Sequence, residues 1–147
     1  MLTNPIVGTY DIRKLVVTLG TILITGWADG EAFQITQPED SFETQRGADG
    51  QVERYAKNVS DVEITLTLLP SSLSNDMLTA LHQLDKTTGL GKVPFLMKDL
   101  NSATTIATFL QAWIVKPPDA SRGNTAVQRE WMIRTGPGLW LEGANII

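Results

Sequence analysis

Asp61 and Glu63 stand two residues apart in a run that alternates polar and apolar side chains, a spacing that projects both carboxylates from one side of a strand. Two carboxylates so placed could serve as a general acid and a general base. The alternation continues through Thr65 and Thr67, so the pair reads instead as the start of a solvated strand face. Glu39 and Asp40 form a second acidic pair, with no base beside them in sequence. His82 is the only histidine, which rules out a multi-histidine metal centre and leaves one way to build a Ser-His-Asp triad. It lies beside an apolar stripe at helical spacing, and no nucleophile-elbow sequence accompanies it. Gly89-Leu90-Gly91-Lys92 matches a phosphate loop only in part: Lys86 replaces the required upstream glycine, and Val93 follows where Ser or Thr is needed. Asn58-Val59-Ser60 fits a glycosylation sequon, which has no consequence without a secretory signal. With no cysteine, disulfides, thiolate metal sites and cysteine nucleophiles are excluded together. These residues predict a protein that is not an enzyme and carries neither metal nor cofactor.

The elements that hold these residues are mostly strands. Residues 14–19 and 22–25 are rich in β-branched and apolar residues, and Gly20-Thr21 between them reads as a tight hairpin. Residues 32–37 alternate, with Phe33 and Ile35 on one face and Gln34 and Thr36 on the other. The clearest strand spans 61–69, where Val62, Ile64, Leu66 and Leu68 oppose Asp61, Glu63, Thr65 and Thr67. Later strands are predicted over 93–98, 105–115 and 128–135, the last two centred on Trp113 and Trp131 as core aromatics. One helix is predicted over 74–88, with Ser74 as its cap, Asp76 in the first turn, an apolar stripe of Met77, Leu81 and Leu84, and Gly89 as its left-handed stop. About eight strands with one helix imply a mainly β fold, a β-sandwich or barrel-like domain with one flanking helix. Residues 39–58 are polar, turn at Ala48-Asp49-Gly50, and read as a protruding hairpin or long loop. Segments of this length in a small domain are commonly functional.

A chain of 147 residues fits a single domain over 1–147 with a core of its own. The net charge of −4 is unevenly spread: residues 1–69 hold ten acids against five bases, residues 70–147 six against seven. Without a basic stripe the chain is not a nucleic-acid binder. Met1-Leu2-Thr3-Asn4-Pro5 has neither the basic nor the apolar stretch of a signal peptide. Residues 106–115, among the most apolar, fall short of the ~20 needed to cross a bilayer. The expectation is a soluble chain made in the cytoplasm.

Five segments stand in order along the chain: Gly47-Ala48-Asp49-Gly50-Gln51-Val52, Ser74-Asn75-Asp76-Met77-Leu78-Thr79-Ala80-Leu81, Lys98-Asp99-Leu100-Asn101, Ala112-Trp113-Ile114-Val115-Lys116-Pro117-Pro118-Asp119 and Arg129-Glu130-Trp131-Met132-Ile133. Together they resemble a family of tail tube proteins from contractile-tailed bacteriophages. The likeness runs from about Tyr10 to Ile133, and the stretch after Thr135 has no assigned part in it. The resemblance implies a structural virion protein in the phage tail, made in the host cytoplasm and assembled into stacked, hexameric rings. The hollow tube they form would carry double-stranded DNA without binding it specifically, with tail sheath, baseplate and tail terminator proteins as further partners. Under that reading, Asp61, Glu63, Thr65, Thr67, Gln34 and Thr36 are candidates to face the lumen. Phe42, Arg46, Asp49, Val52, Arg54 and Tyr55 of the 39–58 segment are candidates to contact a neighbouring subunit. Two alternatives stay open: the tube of a phage-tail-like bacteriocin or secretion machine, and a carbohydrate-binding β-sandwich using Trp27 and Trp140 as its platform.

Overall fold

The computed structural model describes residues 10–102 and 104–143; the Met1–Pro5 start lies outside them. The chain is mainly β. In order come β1 (Leu15–Leu19), β2 (Ile22–Leu23), β3 (Phe33–Thr36), β4 (Phe42–Arg46), β5 (Val52–Ala56), β6 (Glu63–Leu68), helix α1 (Ser74–Thr88), β7 (Val93–Asp99), β8 (Ile106–Lys116), β9 (Arg129–Thr135) and β10 (Gly138–Leu141). Eight strands make one antiparallel sheet in the order β2-β1-β7-β8-β9-β6-β3, with β10 added to β8; β4 and β5 pair only with each other.

The two ends of that sheet are joined by one segment. The Ile24 N–H donates to the Val17 carbonyl of β1 at 2.9 Å, while the Gly26 carbonyl accepts from the Leu69 N–H at 2.8 Å and the Ala28 N–H donates to Thr67 of β6 at 3.0 Å. Residues 24–28 therefore leave the β1 edge and arrive at the β6 edge, which curls the sheet into a barrel-like shape and covers part of its edges. Gly26 makes the crossing possible: its φ is +76°, and a Cβ there would sit 2.5 Å from the Cβ of Ser72. On the other side, β10 continues β9 in register along β8, as Ala112 opposite Thr135 and Phe109 opposite Gly138 show. The break between them falls at Gly136-Pro137, where proline has no N–H to give the ladder.

Period-two burial fills the barrel. Leu15, Val17 and Leu19 of β1, Ile64, Leu66 and Leu68 of β6, Phe95 and Met97 of β7, Phe109 of β8 and Trp131 and Ile133 of β9 form one buried cluster. Burying each large side chain is worth about 1.5–3 kcal/mol. Trp131 also satisfies its ring N–H, which donates to Asn75 Oδ1 on α1 at 2.9 Å and ties the helix to the sheet. Trp113, expected in the core, is only half-buried because the Ala112 and Ile114 positions point inward instead.

The helix has the predicted bounds and the predicted left-handed stop at Gly89, φ +72°. Its cap and its stripe differ from expectation. Ser74 is the first helical residue and is buried, its Oγ accepting from the Thr25 N–H at 3.0 Å; Ser72 Oγ accepts the Ser74 N–H instead. The buried stripe is Ser74, Leu78 and Leu81, while Met77 and Leu84 are exposed. The packed Ser74 anchors the helix one residue of rotation away from the apolar count that the sequence favours.

Candidate functional site

The outer surface of the barrel has two unlike halves. Antiparallel partners share a face. Opposite Glu63, Thr65 and Thr67 of β6 therefore stand Thr36 and Gln34 on one flank, and Arg134, Met132 and Glu130 on the other. Five of the six polar residues read from the sequence thus lie together on the outward face of β3-β6, and the sixth, Asp61, lies just before β6. Arg134, which sequence reasoning missed, reaches both acids, with its guanidinium 3.8 Å from Asp61 and 3.6 Å from Glu63. Its position opposite Glu63 follows from strand register, and nothing in the sequence order signals it. The two carboxylates are accordingly held by a shared cation on a half-exposed face, which carries less net negative charge than the sequence implies.

The other half is apolar. Leu23, Leu96, Leu110, Leu139 and Leu141 are exposed, and the register aligns Leu23 with Thr18, Thr18 with Leu96, Leu96 with Thr108 and Thr108 with Leu139. Leu110 follows Thr108 outward in the alternation of β8 and is 82% exposed, and the extra residue that β8 carries against β7 between Phe109 and Ala112 turns Gln111 outward beside it. Five exposed leucines from four strands, β2, β7, β8 and β10, are unusual for a surface that stays in water.

The 39–58 segment is a hairpin. Phe42, Thr44 and Arg46 of β4 stand opposite Ala56, Arg54 and Val52 of β5, all on one side; Glu43 and Gln45 oppose Tyr55 and Glu53 on the other. Of the six residues expected to meet a neighbour, Phe42, Arg46, Val52 and Arg54 share the first side. There the Arg54 guanidinium lies 4.3 Å from the centre of the Phe42 ring. Tyr55 is on the opposite side and donates its hydroxyl to Glu43 at 2.6 Å, where Lys57 also donates at 2.9 Å. Asp49 shapes the turn, its carboxylate accepting the Gln51 N–H at 3.2 Å.

The Tyr55 hydrogen bond, then Lys57, lowers the Glu43 carboxyl below its ordinary range, while Glu43 raises both the Tyr55 hydroxyl and, first among its causes, the Lys57 ammonium. A lowered acid supports the fold above its unfolded pKa and loses that support as pH falls through the folded one; raised groups support it until pH climbs through their folded values. Amide-exchange protection of β4 and β5 is therefore expected to be flat between about pH 5 and pH 9 and to fall beyond each limit. Glu43→Gln should remove the acid limb; an unchanged profile in that variant would assign the protection to other groups.

Among the described residues no three His, Asp or Glu side chains are arranged to hold a metal, and no helix is long and apolar enough to cross a membrane. His82 is half-buried on α1, its Nδ1 without a partner among the described residues, and no nucleophile lies in hydrogen-bond contact with it. Trp27 packs edge-on against Phe33, centroids 6.3 Å apart, and Trp140 donates its ring N–H to Glu142 at 3.0 Å. Both are half-buried.

No family model matches the chain. Structural protein ORF10 of Pseudomonas phage KPP10 is 28% identical over 124 residues, which cover 83% of this chain and 71% of that protein. The tube-terminating cap of the anti-feeding prophage superposes with a TM-score of 0.58 at 14% identity, over 96% of this chain and 95% of that one. A chain in the extended sheath-tube complex of an extracellular contractile injection system gives 0.57 at 14% identity, over 92% and 93%. In fold the chain resembles a tube-terminating cap and a chain of a sheath-tube complex, and in sequence it resembles a phage structural protein.

Proposed function

We propose that this chain is a structural subunit of a contractile phage tail, assembling into stacked, hexameric rings whose hollow bore carries the genome to the host. The observation that carries the reading is the likeness in fold to cap and sheath-tube chains over more than nine-tenths of the length, reached alongside a sequence likeness to a phage structural protein. The two-sided barrel supports it. A leucine-lined face suits contact with other subunits, and the polar face of β3, β6 and β9 suits the wet wall of a bore. In this reading Gln34, Thr36, Asp61, Glu63, Thr65 and Thr67 line the channel, and the hairpin reaches an adjacent subunit. The virion tail is then its location, and sheath, baseplate and terminator proteins are its partners.

The chain contains no native cysteine, so Thr65→Cys gives a single reporter. In assembled tubes a small maleimide should label it while a large polymer-linked maleimide should not; monomers should react with both. Equal labelling of tubes by both reagents would place β6 outside the bore. Duplex DNA carries about one charge per 1.7 Å, so cations on the wall would retain it. With Arg134 already there, Asp61→Lys plus Glu63→Lys concentrates three cations at one spot per subunit. Such virions should assemble and eject DNA roughly tenfold more slowly at low salt, with the delay relieved by added salt. Ejection at the normal rate would count against the lumen assignment.

The superposition with a tube-terminating cap also favours a second reading, in which the chain ends the tube rather than building it. Single rings that never stack would distinguish a cap from a tube subunit.

A further inference from the structure

The hairpin side that carries Phe42, Arg46, Val52 and Arg54 holds two cations and no acid, and Phe42 and Val52 are more than half exposed. Its other side satisfies itself through Glu43, Tyr55 and Lys57. Neither arginine has an ion-pair partner among the described residues. The free side is thus a small apolar surface with two positive charges, Arg54 lying over the Phe42 ring and neither charge met by an acid among the described residues.

A complementary surface exists on the same chain but away from the hairpin. Between β3 and the ends of β1, β7 and β10 opens a hollow of about 720 Å³, lined by Phe33, Ile35, Ile12 and Trp140 and bordered by Asp29, Glu31 and Glu142. Among the described residues no lysine or arginine lines it. Asp29, Glu31 and Glu142 make no ion pair among the described residues. No hairpin residue contributes to its lining, so within one chain the two surfaces do not meet.

We infer that the Phe42–Arg46–Val52–Arg54 side of the hairpin docks in the carboxylate-bordered hollow of a second copy of this chain, the apolar residues entering it and the two arginines meeting Asp29, Glu31 and Glu142. The match in both charge and character selects this occupant: an apolar, cationic, protruding element against an apolar, anionic, concave one. The contact is heterologous, so it propagates from copy to copy and closes a ring or extends a stack. The inference rests on the assembly reading above and names the surface that receives the hairpin.

Two single-cysteine proteins test it, Arg46→Cys and Glu31→Cys, both at exposed positions that leave the core intact. Mixed at high concentration and oxidised, they should give roughly tenfold more mixed disulfide dimer than Arg46→Cys paired with Lys92→Cys, which lies at the far end of β7. The readout needs no tubes, so it stands even if the chain proves to be a cap. A yield equal to the control overturns the inference while leaving assembly itself intact. Two further results would also overturn it. A double variant that cross-links only within its own monomer would assign the hollow to its own hairpin. A Glu31→Cys that stays fully reactive in assembled tubes would leave the hollow to a different partner. Charge reversal gives an independent check: Arg46→Glu with Arg54→Glu, and separately Asp29→Lys with Glu31→Lys, should each reduce assembly at least tenfold, and combining all four should restore most of it.

Discussion

Replacing residues 45–53 by an Asn-Gly turn should abolish tube growth and leave the monomer folded. The basis is how little the hairpin shares with the barrel. β4 and β5 hydrogen-bond only to each other, and the buried cluster takes no residue between Ile35 and Val62. The shortened loop keeps Thr44 opposite Arg54, and Asn-Gly is the favoured two-residue connection for that geometry. The melting temperature is expected to stay within about 2 °C of the native chain, since no core contact is lost. Assembly loses Arg46 and Val52 at the outer end of the docking side, and assembled mass measured by sedimentation should fall below detection. Tubes of normal length from the shortened chain would refute the role given to the hairpin. A collapse of the melting temperature would instead show that the hairpin braces the barrel.

Trp131→Ala should cost about 3–5 kcal/mol, the largest effect expected of any single substitution in the chain. The ring is 2% exposed, sits on β9 between β6 and β8, and donates to Asn75 Oδ1 across the helix–sheet boundary. Truncation leaves a large cavity and an unpaired amide oxygen together. Against the 5–15 kcal/mol of an ordinary domain, that is about a fifth or more of the total stability. Trp131→Phe separates the two contributions: it keeps much of the volume, loses the hydrogen bond, and should cost about 1–2 kcal/mol. Urea denaturation of the two variants measures both. A loss below 1 kcal/mol for the alanine variant would mean that the helix and sheet are not joined through this residue.

Strands whose burial alternates strictly were legible from residue types alone. Residues 61–69 announce β6 because four apolar positions repeat at period two, and Gly20-Thr21 announces the β1–β2 turn. The end of α1 was legible for a similar local reason, as glycine alone adopts φ +72° without strain. What escaped depends on partners distant in sequence. Ser74 is buried because Thr25, 49 residues earlier, donates to it, and that contact rotates the helix so that Leu78 rather than Met77 faces the core. Closure through residues 24–28 has no periodic signature, since those residues bond first to β1 and then to β6. β10 lies in the stretch after Thr135 to which the sequence assigned no part, because its strand character comes from β8. The candidate surfaces divide in the same way. Gln34, Thr36, Glu63, Thr65 and Thr67 were found by alternation, and register then joined them into one face. Arg134 was missed because it enters that face only through the β6–β9 pairing. The leucine face was missed because its leucines lie far apart in sequence, and only the pairing of β2, β1, β7, β8 and β10 sets them side by side. Tyr55 was grouped with Phe42 by its exposed aromatic character, whereas the β4–β5 register sets the two on opposite sides.

Electron microscopy of the purified protein in negative stain, taken over a rising series of concentrations, tests the central claim of self-assembly around a bore most directly. The account predicts closed rings with a stain-filled centre that stack into hollow tubes as concentration increases. Monomers alone at every concentration, with no ring on any grid, would contradict it.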